Sequence, residues 1–141
     1  MTEGTGAAVK TVDNLLADAR GRLRRLTAQQ AYAALVAGAS LIDIRAETQR
    51  AAGGIVPGSH FVPRNVLEWR LDPLSPWRKE LAPPGTRVVV MCQDGLQSSL
   101  AAATLCDFGL DATDMIDGFN AWRAAELPVQ PLSYTDLPAA A

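Results

Sequence analysis

The chain has 141 residues, enough for one compact domain that buries about two-thirds of the surface its unfolded form exposes, and too few for a second catalytic domain. Hydrophobic residues make up 48% and charged residues 20%, the balance of a globular protein and not of a disordered or fibrous one. A net charge of -2 offers no positive field for a phosphate backbone, no stretch approaches the roughly 20 unbroken apolar residues that cross a bilayer, and Met1 to Gly6 lack the basic-then-apolar order of an export signal, so the expectation is a cytoplasmic protein that binds neither nucleic acid nor membrane.

Over residues 7–20, Val9, Val12, Leu16 and Ala19 recur at three- and four-residue steps, which predicts an amphipathic leading helix docked on a core. Leu23 to Leu26 reads as a short extended segment. Thr27 then caps a helix that begins at Ala28, runs through Val36 and stops at Gly38. Leu41-Ile42-Asp43-Ile44 has the composition of a strand buried on both faces. Gly53, Gly54, Pro57 and Gly58 mark a turn-rich connection to a short strand at His60 to Val62. Residues 64–81, interrupted by Pro73 and Pro76, predict one or two short helices before the break at Pro83-Pro84-Gly85. The valine run from Arg87 to Met91 is the clearest central strand, and it leads straight into Cys92. Ser98 to Phe108 reads as a helix ended by Gly109, Ala112 to Ile116 as a last strand, and Gly118 to Ala125 as a closing helix before Pro128. The chain from Gln130 onward, rich in proline and alanine, is expected to be a loosely held tail.

Strands alternating with helices over short connections call for a mostly parallel sheet covered on both faces. Ligands on such sheets bind beyond the carboxyl ends of the strands, which points to the junction between Met91 and Ser99.

The two cysteines, Cys92 and Cys106, stay as thiols in a reducing compartment. The single histidine, His60, cannot complete a zinc site with two widely spaced cysteines, nor does any local pattern make it a general base. If Cys92 does chemistry, the backbone must therefore activate it. A cysteine that ends a buried strand and is followed by Gln93-Asp94-Gly95-Leu96-Gln97-Ser98-Ser99 and a helix sits where several N–H groups and the positive end of a helix converge on one sulfur. That cradle favours a thiolate and would equally hold a persulfide anion, with Gly95 allowing the tight turn. Cys106, mid-helix beside Leu105, reads as packing. Asp43 and Arg45 either border the pocket or pair to fix strand to loop, and Arg64 and Arg70 either supply positive charge or form a solvated helix face.

Four pieces in order make the chain resemble the rhodanese-like family of sulfurtransferases, over about Leu26 to Val129. Leu41-Ile42-Asp43-Ile44-Arg45 matches the family's strand ending in Asp-x-Arg, and Ile55-Val56-Pro57-Gly58-Ser59 its Ile-Pro-Gly-Ala turn. Cys92 to Ser98 matches the Cys-x-x-Gly-x-Arg-Ser loop, and Asp117-Gly118-Phe119-Asn120-Ala121-Trp122 with Leu127-Pro128-Val129 the closing Gly-x-x-x-Trp and Leu-Pro-Val. The chain departs from the pattern at Gly54, at the additional Val56, and in the loop, where Gln97 replaces a frequent arginine and Asp94 adds a negative charge. Dianion binding should suffer. The related dual-specificity phosphatases need a loop one residue longer ending in arginine, where this chain has Ser98.

The resemblance implies a three-layer α/β/α fold with a sheet of five mainly parallel strands: residues 1–22 as a helical extension, 23–129 as the rhodanese-like domain and 130–141 as a flexible tail. It implies Cys92 as nucleophile, Gln93, Asp94, Gly95, Leu96, Gln97, Ser98 and Ser99 as substrate-binding residues, and Asp43, Arg45 and Arg64 at the rim. The Ser98 and Ser99 hydroxyls are expected to add to the anion's donors. The implied partners are a small-molecule sulfur donor and a thiol or cyanide acceptor, or a protein sulfur acceptor, with no metal or organic cofactor. Two other readings stay open: a catalytically silent binding module using the altered pocket, and a thiol redox enzyme in which Cys106 bonds to Cys92.

Overall fold

A computed structural model describes residues 8–133 of the chain. Four parallel strands, β1 (Ser40–Asp43), β2 (His60–Phe61), β3 (Val88–Met91) and β4 (Ala112–Asp114), form a sheet in the order β2-β1-β3-β4. The central pair aligns Ile42 with Val90 and Asp43 with Met91, so both strands end at one level and release the chain there. Every residue of β1 and β3 is buried, as a strand covered on both faces requires.

The helices are α1 (Val12–Arg20), α2 (Ala28–Val36), α3 (Glu47–Gly53), α4 (Leu67–Leu71, led by a 3-10 turn at Arg64–Val66), α5 (Gln97–Asp107) and α6 (Gly118–Ala124). Because side chains alternate along a strand, Ile42, Val88 and Val90 face one layer and pack with Leu67 and Leu71 of α4 and with Ala101 and Leu105 of α5. Leu41, Val89 and Met91 face the other and pack with Ala28 and Ala31 of α2 and with Phe119 and Trp122 of α6. Each fully buried branched side chain contributes about 1.5–3 kcal/mol, so the two layers hold β3, and with it the start of the following loop, in one place. The architecture is the expected three-layer α/β/α sandwich.

The strand count among the described residues differs from expectation: four strands, not five. In the segment read as extended, only Leu26 pairs with the sheet, as an isolated parallel bridge to Met115. The carbonyl of Arg24 accepts the Thr113 hydroxyl at 2.8 Å, a side-chain bond where a ladder would continue. Immediately afterwards Thr27 caps α2 in a reciprocal arrangement with Gln30, which ends any strand.

Helix α1 also starts later than the apolar stripe predicts. Thr11 is its cap, Val9 is 96% exposed and Val12 63%, and only Ala19 of the stripe is buried, so the helix docks by its last turn. Helix α3 has no counterpart in the sequence reading, because its one buried residue is Arg50 and it carries no apolar stripe to reveal it. Gln130, read as the start of a loose tail, exchanges two backbone hydrogen bonds with Ile55, at 2.8 and 2.9 Å. Residue 7, where the leading helix was expected to begin, the initial Met1 to Gly6 and residues 134–141 of the tail lie outside the described residues. Among those described, no helix is long and apolar enough to cross a membrane.

Candidate active site

Cys92 follows the last residue of β3 and is 5% exposed. Its Sγ accepts the N–H of Gly95 at 3.2 Å and the N–H of Ser98, in the first turn of α5, at 3.3 Å. Two amides and the positive end of a helix thus point at one sulfur, which stabilises negative charge there. The arrangement has a structural cause on the other side of the chain. The carbonyls of Cys92 and Gln93 are drawn away from the loop by the N–H groups of Phe119 and Asn120, at 2.9 and 3.0 Å. Gly118 and Gly95, both at positive φ, allow this close approach: a β-carbon on Gly95 would stand 2.5 Å from the amide nitrogen of Asp117.

A cavity of about 470 Å³ opens over the sulfur. Cys92, Gln93, Asp94 and Gln97 form one side, and Arg45, Glu47, Phe61, Pro63, Arg64 and Asn65 face them. Among the described residues the amides of Gln93, Asp94 and Gln97 donate to no protein acceptor. The Leu96 amide donates to Asp94 Oδ1 at 3.1 Å, and that same oxygen lies 3.8 Å from the Cys92 sulfur. The negative charge expected from Asp94 is therefore beside the Cys92 sulfur.

The other residues singled out in the sequence divide. Arg64 lines the cavity with its guanidinium engaged by Glu68, Nη1 reaching both carboxylate oxygens at 3.0 and 3.1 Å. Arg45 also lines it, but its side chain is fully buried, bound to Asp43 at 2.9 Å and stacked over the Phe119 ring at 3.9 Å. Asp43 does not line the cavity; it accepts Arg45 and Arg50 behind the wall and ties β1 to α3. Arg70 donates to the Trp77 carbonyl away from the sulfur. Leu96 is half exposed outside the cavity.

The match to known proteins decides the family. The rhodanese-like domain model matches residues 27–125. The chain belongs to the rhodanese-like domain family. It is 30% identical over 107 residues to thiosulfate sulfurtransferase GlpE of Haemophilus influenzae, covering 75% of this chain and 93% of that relative. It superposes with a TM-score of 0.80 and 32% identity on a protein of unknown function from Rhodopseudomonas palustris, called a possible tyrosine phosphatase, over 90% of this chain and all of that one. A thiosulfate sulfurtransferase from Pseudomonas aeruginosa aligns at 25% identity and a TM-score of 0.60, over 78% of this chain and 20% of its own.

Within this rhodanese-like domain a buried polar network lies behind the loop, and the sequence reading missed it. Asp114, wholly buried at the end of β4, accepts Arg25 Nε at 2.9 Å and Nη2 at 3.1 Å. It also accepts the Ser98 and Ser99 hydroxyls, at 2.8 and 2.9 Å. Those hydroxyls were expected to serve the anion, and they are turned the other way because a carboxylate without solvent must have its oxygens satisfied. Ser98 reaches the sulfur with its amide alone. An aspartate inside an otherwise apolar strand was a signal for Asp114; nothing local signals Arg25, whose partner is 89 residues away.

Proposed function

We propose that this protein transfers sulfane sulfur through a persulfide on Cys92. The Cys92 thiolate attacks the outer sulfur of thiosulfate or of a low-molecular-weight persulfide. The donor's S–S bond breaks, and sulfite or a thiolate leaves with its electron pair. The terminal sulfur of Cys92-S-S⁻ carries the charge, and the proposed donors to it are the amides of Gln93, Asp94 and Gln97, residues that line the cavity with Cys92. An acceptor nucleophile, cyanide or a small or protein thiol, then attacks that sulfur and releases the Cys92 thiolate, giving ping-pong kinetics. A working free thiolate fits a reducing compartment such as the cytoplasm. The observation that carries this reading is the pair of amide N–H groups on a cysteine sulfur at the base of an open cavity. The activity named for the Haemophilus relative supports it.

The test is intact mass after incubation with thiosulfate or glutathione persulfide, followed by release with cyanide. Wild type should gain one sulfur and lose it to cyanide, and Cys92→Ser should gain none. A Cys92→Ser protein loaded as readily as wild type would refute the mechanism.

The Rhodopseudomonas neighbour brings phosphatase chemistry into view. Dephosphorylation requires an arginine clamp on the phosphate, and Ser98, standing where that arginine would be, is bound to buried Asp114. The Asp94 carboxylate 3.8 Å from the Cys92 sulfur favours a different second reading, a catalytically silent module whose cavity binds a ligand. Failure of wild type to accept sulfur from either donor would select it.

A further inference from the structure

We infer that Arg20 of α1 is a positioning residue for Cys92, acting through the Gly95–Leu96 peptide. The kinetic part of this inference rests on the sulfur-transfer reading; the geometric part does not. Arg20 Nη2 donates to the Gly95 carbonyl at 2.9 Å and its Nε to the Ser99 hydroxyl at 3.0 Å. Arg25 Nη2 donates to the same Gly95 carbonyl, also at 2.9 Å. In a trans peptide the carbonyl and the next N–H point in opposite directions. Holding the Gly95 oxygen toward α1 therefore holds the Leu96 N–H toward Asp94 Oδ1, where it is found.

Gly95, at φ +82, has no β-carbon to resist rotation of that peptide. Turned over, the peptide would aim its oxygen away from the guanidinium groups and release the Asp94 carboxylate next to the nucleophile. Two cationic donors on one carbonyl oppose that rotation, since hydrogen bonds from charged donors are the strong ones. The two arginines differ in what else they do. The charge of Arg25 is balanced by Asp114, whereas Arg20 forms no ion pair among the described residues. Arg20 thus leaves a whole positive charge behind the loop, on the side that favours anionic sulfur.

Arg20 lies ahead of residue 27, where the match to the family model begins, so this clamp comes from the N-terminal segment and not from the matched span. Anchoring of α1 is a separate matter. Ala19 is buried at its end, and the exposed Arg22–Asp107 ion pair ties the chain just after α1 to α5 without touching the loop.

The experiment compares Arg20→Ala, Arg20→Lys and Arg22→Ala by two readouts in the full-length protein. One is the rate of Cys92 alkylation by uncharged iodoacetamide at neutral pH, followed at the Cys92 peptide by mass spectrometry. The other is the kcat and KM of sulfur loading from a persulfide donor. Arg20→Ala should slow alkylation and lower kcat, each by roughly 10-fold, with KM within about twofold, because the lost contact orients the nucleophile and does not bind donor. Arg20→Lys should recover part of both, and Arg22→Ala should match wild type. An Arg20→Ala protein alkylated at the wild-type rate would overturn the inference, as would equal slowing in Arg22→Ala, which would reduce the effect to helix docking. If wild type takes up no sulfur at all, the sulfur-transfer reading fails while the alkylation comparison still decides the role of Arg20.

Discussion

Gly118 lies directly against the carbonyl of Cys92, so closely that a β-carbon on residue 118 would overlap the Cys92 oxygen. That contact lets the N-terminal turn of α6 take the Cys92 and Gln93 carbonyls and leaves the amides on the other side free to face the sulfur. The glycine is also at φ +54, where any other residue is strained. Gly118→Ala should therefore lose roughly 1–2 kcal/mol to backbone strain and 1–3 kcal/mol to overpacking. The measurement is a melting curve, with a fall of about 10 °C expected for a domain of this size. Sulfur loading by the folded fraction should fall too, and an unchanged melting temperature with full loading would show that the contact is not required.

A second expectation concerns the network behind the loop. Asp114 is buried and joins Arg25, Ser98 and Ser99, and the Arg25 side chain is only 16% exposed. Asp114→Asn keeps the shape but leaves a mostly buried guanidinium facing a neutral amide. Removing one partner of a buried pair costs about 3–5 kcal/mol. Denaturant unfolding should show that loss, whereas Lys10→Ala, which removes the exposed ion pair of Lys10 with Asp18 of α1, should change little. Equal small losses in both variants would mean that the buried network contributes no more than a surface pair.

The contrast between these sites shows what was legible in the sequence. The valine run of β3, the Thr27 cap and the Cys92 loop were readable because each rests on neighbours in sequence: β-branched composition, a hydroxyl ahead of a helix, a glycine in a tight turn. The links behind the loop join positions 75 and 89 residues apart, for Arg20 with Gly95 and for Arg25 with Asp114, and no local pattern encodes such pairs. The serine hydroxyls were misdirected for the same reason, since their destination lies on a later strand. Helix α3 was hidden because an arginine, not an apolar stripe, fills its buried position.

Cys106 tests the redox alternative. Its sulfur donates to the Ala112 carbonyl at 3.3 Å and packs against the core, well along α5 from the active loop. Eight residues of helix, a rise of about 12 Å, separate Cys106 from Ser98, whose amide is 3.3 Å from the Cys92 sulfur, so the two sulfurs stand well beyond the roughly 2 Å of a disulfide bond. Oxidation with diamide should therefore produce no internal Cys92–Cys106 bond, and Cys106→Ala should retain sulfur loading at a cost of about 1 kcal/mol in stability. Peptide mapping under non-reducing conditions reads the first, and a linked Cys92–Cys106 peptide at high yield would bring the redox reading back.

Under the proposed sulfur transfer, the choice of donor should follow the charge at the rim. Gln97 and Asp94 line the cavity beside Cys92, and Arg64 opposite is already engaged by Glu68, so little free positive charge faces an incoming dianion. Gln97→Arg places a guanidinium on the first turn of α5, where it can donate to the sulfonate oxygens of thiosulfate. A hydrogen bond to a charged group is worth about 1.5–3 kcal/mol, which corresponds to a fall in KM for thiosulfate of roughly 10-fold or more. Asp94→Asn, which keeps the oxygen that receives the Leu96 amide but removes the charge, should lower the same KM by a smaller factor. With a persulfide donor of lower charge both variants should gain less. Steady-state kinetics with the two donors measures the difference, and thiosulfate kinetics left unchanged by both substitutions would remove rim charge as the reason for donor preference.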